Sequence, residues 1–217
     1  MNLKARTLDL VEQRDFHELA ILVNNNKRAV KYIYSVLYEP NASNKWNGID
    51  AFGYLAKELG ESDTEFFREI LRRFIWMMNE EGGNSNWSAP EAIGEIVYNQ
   101  PGLFGYLAPV MITAAIDEKI FQKGMLWAIA RFGEVIPNEV IKFENEIIEF
   151  LHCDNPEIKG LAARALGNSG IKKAGPILQT MVKNDKLIEI YIDGKKHVLT
   201  IGQIAIEALV KLEKTKV

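Results

Sequence analysis

The stretch Asp154-Asn155-Pro156-Glu157-Ile158-Lys159-Gly160-Leu161-Ala162-Ala163-Arg164-Ala165-Leu166-Gly167 decides how this chain folds. Asp154 or Asn155 supplies a side-chain oxygen to cap a helix, and Pro156 suits the first turn, where no intrahelical N–H is needed. Ile158, Leu161, Ala162, Ala165 and Leu166 recur at helical spacing and form one apolar stripe. The alanines in that stripe let a second helix come close. Gly167 and Gly170 end the segment. A second helix follows over about residues 172–183, with Ile177, Leu178, Met181 and Val182 as its apolar side.

With Ala165 as anchor, the same pattern is found at Ala51-Phe52-Gly53, Ala92-Ile93-Gly94, Ala128-Ile129-Ala130 and Ala208-Leu209-Val210. Successive anchors are 41, 36, 37 and 43 residues apart. A large apolar residue follows each, and the residue three before is Gly48, Ala89, Met125, Ala162 or Ala205. A period near forty with two helices per unit is the HEAT or armadillo range.

Pro156 to Gly167 resembles the phycobilisome-lyase HEAT-like repeat, through the Ile158-Lys159 step and the run Ala162-Ala163-Arg164-Ala165-Leu166-Gly167. The strong match covers about one repeat; the other four units share the anchor pattern. The resemblance implies an all-α fold, a right-handed α-α superhelix of antiparallel helix pairs, with the anchor-bearing helices lining the concave side. It implies little about activity; most such repeats are protein-binding scaffolds, so the expectation is a scaffold or adaptor that binds a protein or peptide partner. The family name implies an alternative, a lyase or chaperone-like protein acting on a chromophore or prosthetic group, although the resemblance reaches no catalytic residue.

The expected organisation is a single domain over 1–217. Residues 1–43 form an N-terminal helical cap or a degenerate first repeat, whose helical part is Leu8 to Tyr38, and 44–186 carry the helix-pair repeats. These start near Asn44, Trp87, Glu118 and Asn155. Residues 187–200 alternate β-branched and polar residues around Asp193-Gly194, the signal of a β-hairpin. The hairpin accounts for the longest anchor spacing, and reads either as a cover for the end of the core or as a binding arm. Residues 201–217 supply the last anchor helix.

Composition fits this reading. Of 217 residues, 47% are hydrophobic and 25% charged, with a net charge of −3, which argues against coating nucleic acid by bulk charge. Residues 171–217 are net +4 and 1–170 net −7, but the C-terminal lysines are scattered without arginine, as on a solvated face. The single cysteine, Cys153, excludes an intrachain disulfide and points to a reduced, cytoplasmic setting. No signal peptide is expected, since residues 1–15 lack an apolar run. The uncharged stretch 96–116 is broken by Asn99-Gln100-Pro101-Gly102, so it reads as two buried helices and not a membrane span.

Two features mark where a partner would bind. From Phe74 to Glu118 there is no Lys or Arg over 45 residues, and the centre of this stretch is a polar, Gly-rich segment containing Glu80, Glu81 and Trp87. It reads as a binding loop or as a plain surface loop. The second feature follows from helical geometry. Positions one before and three after each anchor lie together beside the apolar stripe. They are Asp50 and Tyr54, Glu91 and Glu95, Trp127 and Arg131, then Arg164 and Asn168. With neighbouring helices about 8–10 Å apart, Glu91 and Glu95 are expected to face Trp127 and Arg131, and Arg131 to face Arg164. The result is a charged, aromatic ridge along the concave side. It serves either to recognise a polypeptide or small polar ligand, with tryptophans as anchors, or as ion pairs that set the superhelical pitch.

No P-loop, dinucleotide fingerprint, nucleophile elbow or zinc pattern occurs. Glu149-x-x-His152 is half of a di-metal motif and has no second copy. Cys153 follows a helix C-terminus, which disfavours a thiolate. Glu91 and Glu95 as an acid/base pair have no nucleophile or cofactor cradle beside them. The expectation is therefore no catalytic residue, metal or cofactor.

Overall fold

Helices form where the anchor stripes recur. In the computed structural model the described residues are 2–38, 44–79 and 88–214. In chain order the helices are α1 (Leu3–Glu12), α2 (Phe16–Asn25), α3 (Val30–Val36), α4 (Lys45–Leu59), α5 (Thr64–Met78), α6 (Ala89–Asn99), α7 (Pro101–Phe104) and α8 (Ala108–Ala115). They continue with α9 (Lys119–Phe132), α10 (Pro137–Val140), α11 (Glu144–Glu149), α12 (Pro156–Asn168) and α13 (Gly175–Met181). The strands β1 (Leu187–Ile192) and β2 (Lys195–Thr200) precede α14 (Ile201–Lys214). The anchors Ala51, Ala92, Ala128 and Ala165 are fully buried and Ala208 is 2% exposed, in α4, α6, α9, α12 and α14 respectively. The chain divides into two compact units, 1–115 and 116–217.

Unit 1 is built on α4 against α6, with α5 and α8 packed on α6. Its aromatic core is a triangle of Tyr34, Phe52 and Phe74, with ring centroids 5.1, 4.8 and 5.0 Å apart. Offset and edge-to-face contacts of this kind add to what burial alone contributes. The N-terminal segment forms three helices. The first two are joined at Arg14, whose φ of 58° lets the chain reverse just beyond α1. Asp15 caps α2 by accepting the Glu18 N–H at 3.2 Å.

Unit 2 is built on α12, which lies between α9 and α14. Asn155 caps α12 by accepting the N–H groups of Glu157 at 2.9 Å and Ile158 at 3.2 Å, while Pro156 occupies the first turn. The close approach foreseen from small residues is real. A Cβ on Gly167 would lie 2.5 Å from the Ala208 Cα, so α12 and α14 touch backbone to side of backbone there. The second helix of this pair is shorter than the 172–183 expected. A 3₁₀ turn occupies Lys172–Ala174 and α13 begins at Gly175. Pro176 is the reason, because it lacks the N–H that an interior helical position needs.

The hairpin forms as its sequence signal predicts. β1 pairs antiparallel with β2 from Leu187↔Thr200 to Ile192↔Lys195. The two turn residues both have positive φ, Asp193 at 45° and Gly194 at 85°, the combination whose twist matches the strands. One face, with Ile188 and Ile190, is buried. Ile188 fills the space beside Gly160 where a side chain would otherwise stand, so the hairpin is laid on α12. Among the described residues no helix is long and apolar enough to cross a membrane.

Candidate functional site

The ridge positions of unit 1 lie on α4 and α6. Asp50 accepts a hydrogen bond from Arg14 Nη2 at 2.6 Å, and Arg14 also donates to Asn47 Oδ1 at 2.8 Å. Tyr54 is half-buried and its ring lies 5.9 Å from that of Phe16. Asp50 and Tyr54 thus hold the N-terminal helices to α4. Glu91 and Glu95, expected on an open ridge, are each only 5% exposed. Lys45 Nζ lies 3.5 Å from Glu91 Oε1, whereas Glu91 Oε2 is buried without a hydrogen-bond partner among the described residues. Glu95 Oε2 accepts from Asn99 Nδ2 at 3.1 Å and rests on Gly53, where a Cβ would approach it to 2.8 Å. The missing side chain at 53 is what admits the carboxylate between the helices.

In unit 2 the ridge positions are gathered by the hairpin. Trp127, on α9, is 7% exposed and donates its Nε1–H to the Tyr191 carbonyl at 2.7 Å. That carbonyl belongs to a non-hydrogen-bonded position of β1, which points away from β2 and needs such a donor. Arg131 donates to Asp193 Oδ1 at 2.9 Å at the hairpin turn. Arg164, on α12, lies 3.7 Å from Glu207 on α14, and Lys211 bonds Glu134. Burial holds the Arg164 guanidinium below its ordinary pKa; Glu207, Asp193 and Glu134 pull the other way, and nearby Arg131 adds repulsion. Asn168 Nδ2 donates to the Ala130 carbonyl at 2.5 Å, tying α12 to the end of α9.

Sequence spacing therefore places Trp127, Arg131 and Arg164 on one side of unit 2, with the Arg131 and Arg164 side chains still 25% and 20% exposed. It did not foresee that Trp127 lies under β1. Glu80, Glu81 and Trp87 lie outside the described residues. His152 is exposed and Cys153 half-buried, and among the described residues no group of three or more His, Cys, Asp or Glu is placed to hold a metal. Glu134, Asp193, Glu207 and Lys211 were not foreseen. Asp193 drew notice only as a turn residue, and nothing along the chain links 134 to 211.

Helix pairs around alanine anchors give the chain an armadillo/HEAT-like helical repeat fold. The chain is similar in structure to an engineered protein, with TM-score 0.59 and 14% identity over 98% of this chain and 97% of the other. A designed armadillo repeat protein matches at TM-score 0.56 and 16% identity, covering 92% of this chain and 91% of its own. Computationally designed armadillo repeat proteins for modular peptide recognition match at TM-score 0.54 and 15% identity, over 91% and 86%. In sequence, an uncharacterized protein of Archaeoglobus fulgidus is 23% identical over 172 residues, 77% of this chain and 88% of the relative. No family model matches the chain.

Proposed function

We infer that the chain is a non-catalytic scaffold that binds a protein or peptide partner on the concave side of its anchor-bearing helices. The observation that carries this reading is the polar strip of unit 2. Arg131 and Arg164, from consecutive anchor helices, remain partly open while carboxylates of the hairpin and α14 fix their positions. Pre-positioned guanidiniums on rigid elements suit the carboxylates and carbonyls of an extended peptide, because little side-chain entropy is left to lose on binding. The likeness to repeat proteins designed for peptide recognition is consistent with this use of the fold.

Panning a displayed peptide library against the native protein tests this. Selected peptides are expected to bind Arg131→Gln and Arg164→Gln at least about tenfold more weakly, with circular dichroism unchanged. Unchanged affinity with a lowered Tm would instead assign these residues to inter-repeat pairing. The second reading, action on a chromophore or prosthetic group, rests on the resemblance of Pro156–Gly167. An absorbance band above the aromatic region in the purified protein would favour it.

A further inference from the structure

Unit 1 carries a groove that uses no residue of α4 or α6. It runs between the 27–34 segment and α5 and encloses about 410 Å³. Its floor is apolar: Val30 and Ile70 are buried, Tyr34 is 4% exposed with its hydroxyl donating to the Ile70 carbonyl at 3.2 Å, and Phe66 is half-buried. Its rim is cationic, with Lys27, Arg28 and Lys31 on one side and Arg73 on the other.

Two of the charges lining the groove are already matched. Lys27 pairs with Asp63 at 2.7 Å and lies 4.7 Å over the Phe66 ring. Glu69 is engaged by Arg72 at 2.9 Å. Arg28, Lys31 and Arg73 have no carboxylate within ion-pair distance among the described residues. Arg73 instead stands 4.8 Å over the Tyr34 ring and Lys31 4.7 Å over Tyr32. Three cations without an ion-pair partner among the described residues, around one groove, run against the balance of a chain whose net charge is −3. Such a field attracts an anion, and the apolar floor asks that the anion bring an apolar body. A nucleic-acid backbone fits less well. Asp63, Glu65 and Glu69 interrupt the positive potential along α5 and its entry, and the cations ring a pocket without forming a track.

We propose that this groove docks an acidic segment of a partner protein, with one apolar side chain on the Tyr34–Phe66–Ile70 floor and flanking carboxylates on Arg28, Lys31 and Arg73. The site is distinct from the anchor-helix strip, so the two are separable by mutation. The probe is a fluorescein-labelled Glu-Glu-Phe-Glu-Glu peptide read by anisotropy against the full chain. Saturable binding is expected, weakened about tenfold or more when the probe's Phe is replaced by Gly and weakened by added salt. Arg28→Glu with Lys31→Glu abolishes it, and both residues are exposed, so the fold is retained. Arg73→Gln alone weakens it, while Arg164→Gln leaves it unchanged. The proposal is overturned if the probe shows no saturable binding, if the groove variants bind as the native chain does, or if Arg164→Gln alone removes binding. Tighter binding of a ten-nucleotide oligothymidylate than of the peptide also overturns it and assigns the surface to nucleic acid.

Discussion

Tyr34 shows how one residue carries several duties. It is part of the aromatic triangle of unit 1, floors the cationic groove and bonds the Ile70 carbonyl. Burial raises its pKa well above the ordinary value, with Arg73 acting against that shift. An acid whose folded pKa is raised stays protonated in the fold after it has ionised in the unfolded chain. Its contribution is therefore complete below about pH 10 and declines as pH rises further. Tyr34→Phe is expected to lose about 1 kcal/mol at neutral pH with the hydrogen bond, and to flatten the fall in stability above pH 10, measured by urea titration across that range. Glu65 has the opposite sign. Hydrogen bonds from Arg68 and Arg72 hold its carboxyl below the usual range, so whatever it contributes is present above the unfolded pKa and lost as pH falls through the folded one. The first property is not legible in sequence, because Tyr34 and Arg73 meet only after α3 and α5 pack; the second lies within α5, where Glu65 and Arg68 are an i,i+3 pair.

Among the elements, the hairpin decides most about unit 2. Its existence was written in the Asp193-Gly194 turn and its alternation. Its resting place was not, since period two tells which face is greasy and not which helix will cover it. In the structure β1 lies on α12 and accepts from Trp127, so the hairpin is a cover for the anchor-helix core. Trp127→Phe leaves the Tyr191 carbonyl without its donor and is expected to cost about 1–3 kcal/mol. Faster amide exchange over residues 188–199 would report it. Arg131→Ala removes a bridge to Asp193, which is 74% exposed, and is expected to cost no more than about 1 kcal/mol. Gly167→Ala drives a methyl group into the Ala208 backbone, at an expected cost of about 1–3 kcal/mol and a Tm lower by roughly 3–10 °C.

At the scale of the molecule, anchor spacing was enough to locate α4, α6, α9, α12 and α14, because burial of a periodic stripe is a property of the stripe itself. The division into 1–115 and 116–217 was not visible, for no Pro- or Gly-rich linker marks it. In arrays of helix pairs stability is close to a sum of local terms. Gly167→Ala is accordingly expected to speed exchange over 156–214 more than over 45–78, as mass spectrometry of exchanged peptides can resolve. The hairpin's seat on α12 also bears on how relatives of this chain diverge. The Ile188 side chain stands in the notch left by Gly160, so the two positions share one fixed volume. Homologues that gain a methyl at 160 should have trimmed 188 to valine or alanine. Chains that drift at one position without the other should be found only where the β-ribbon has been lost or shortened.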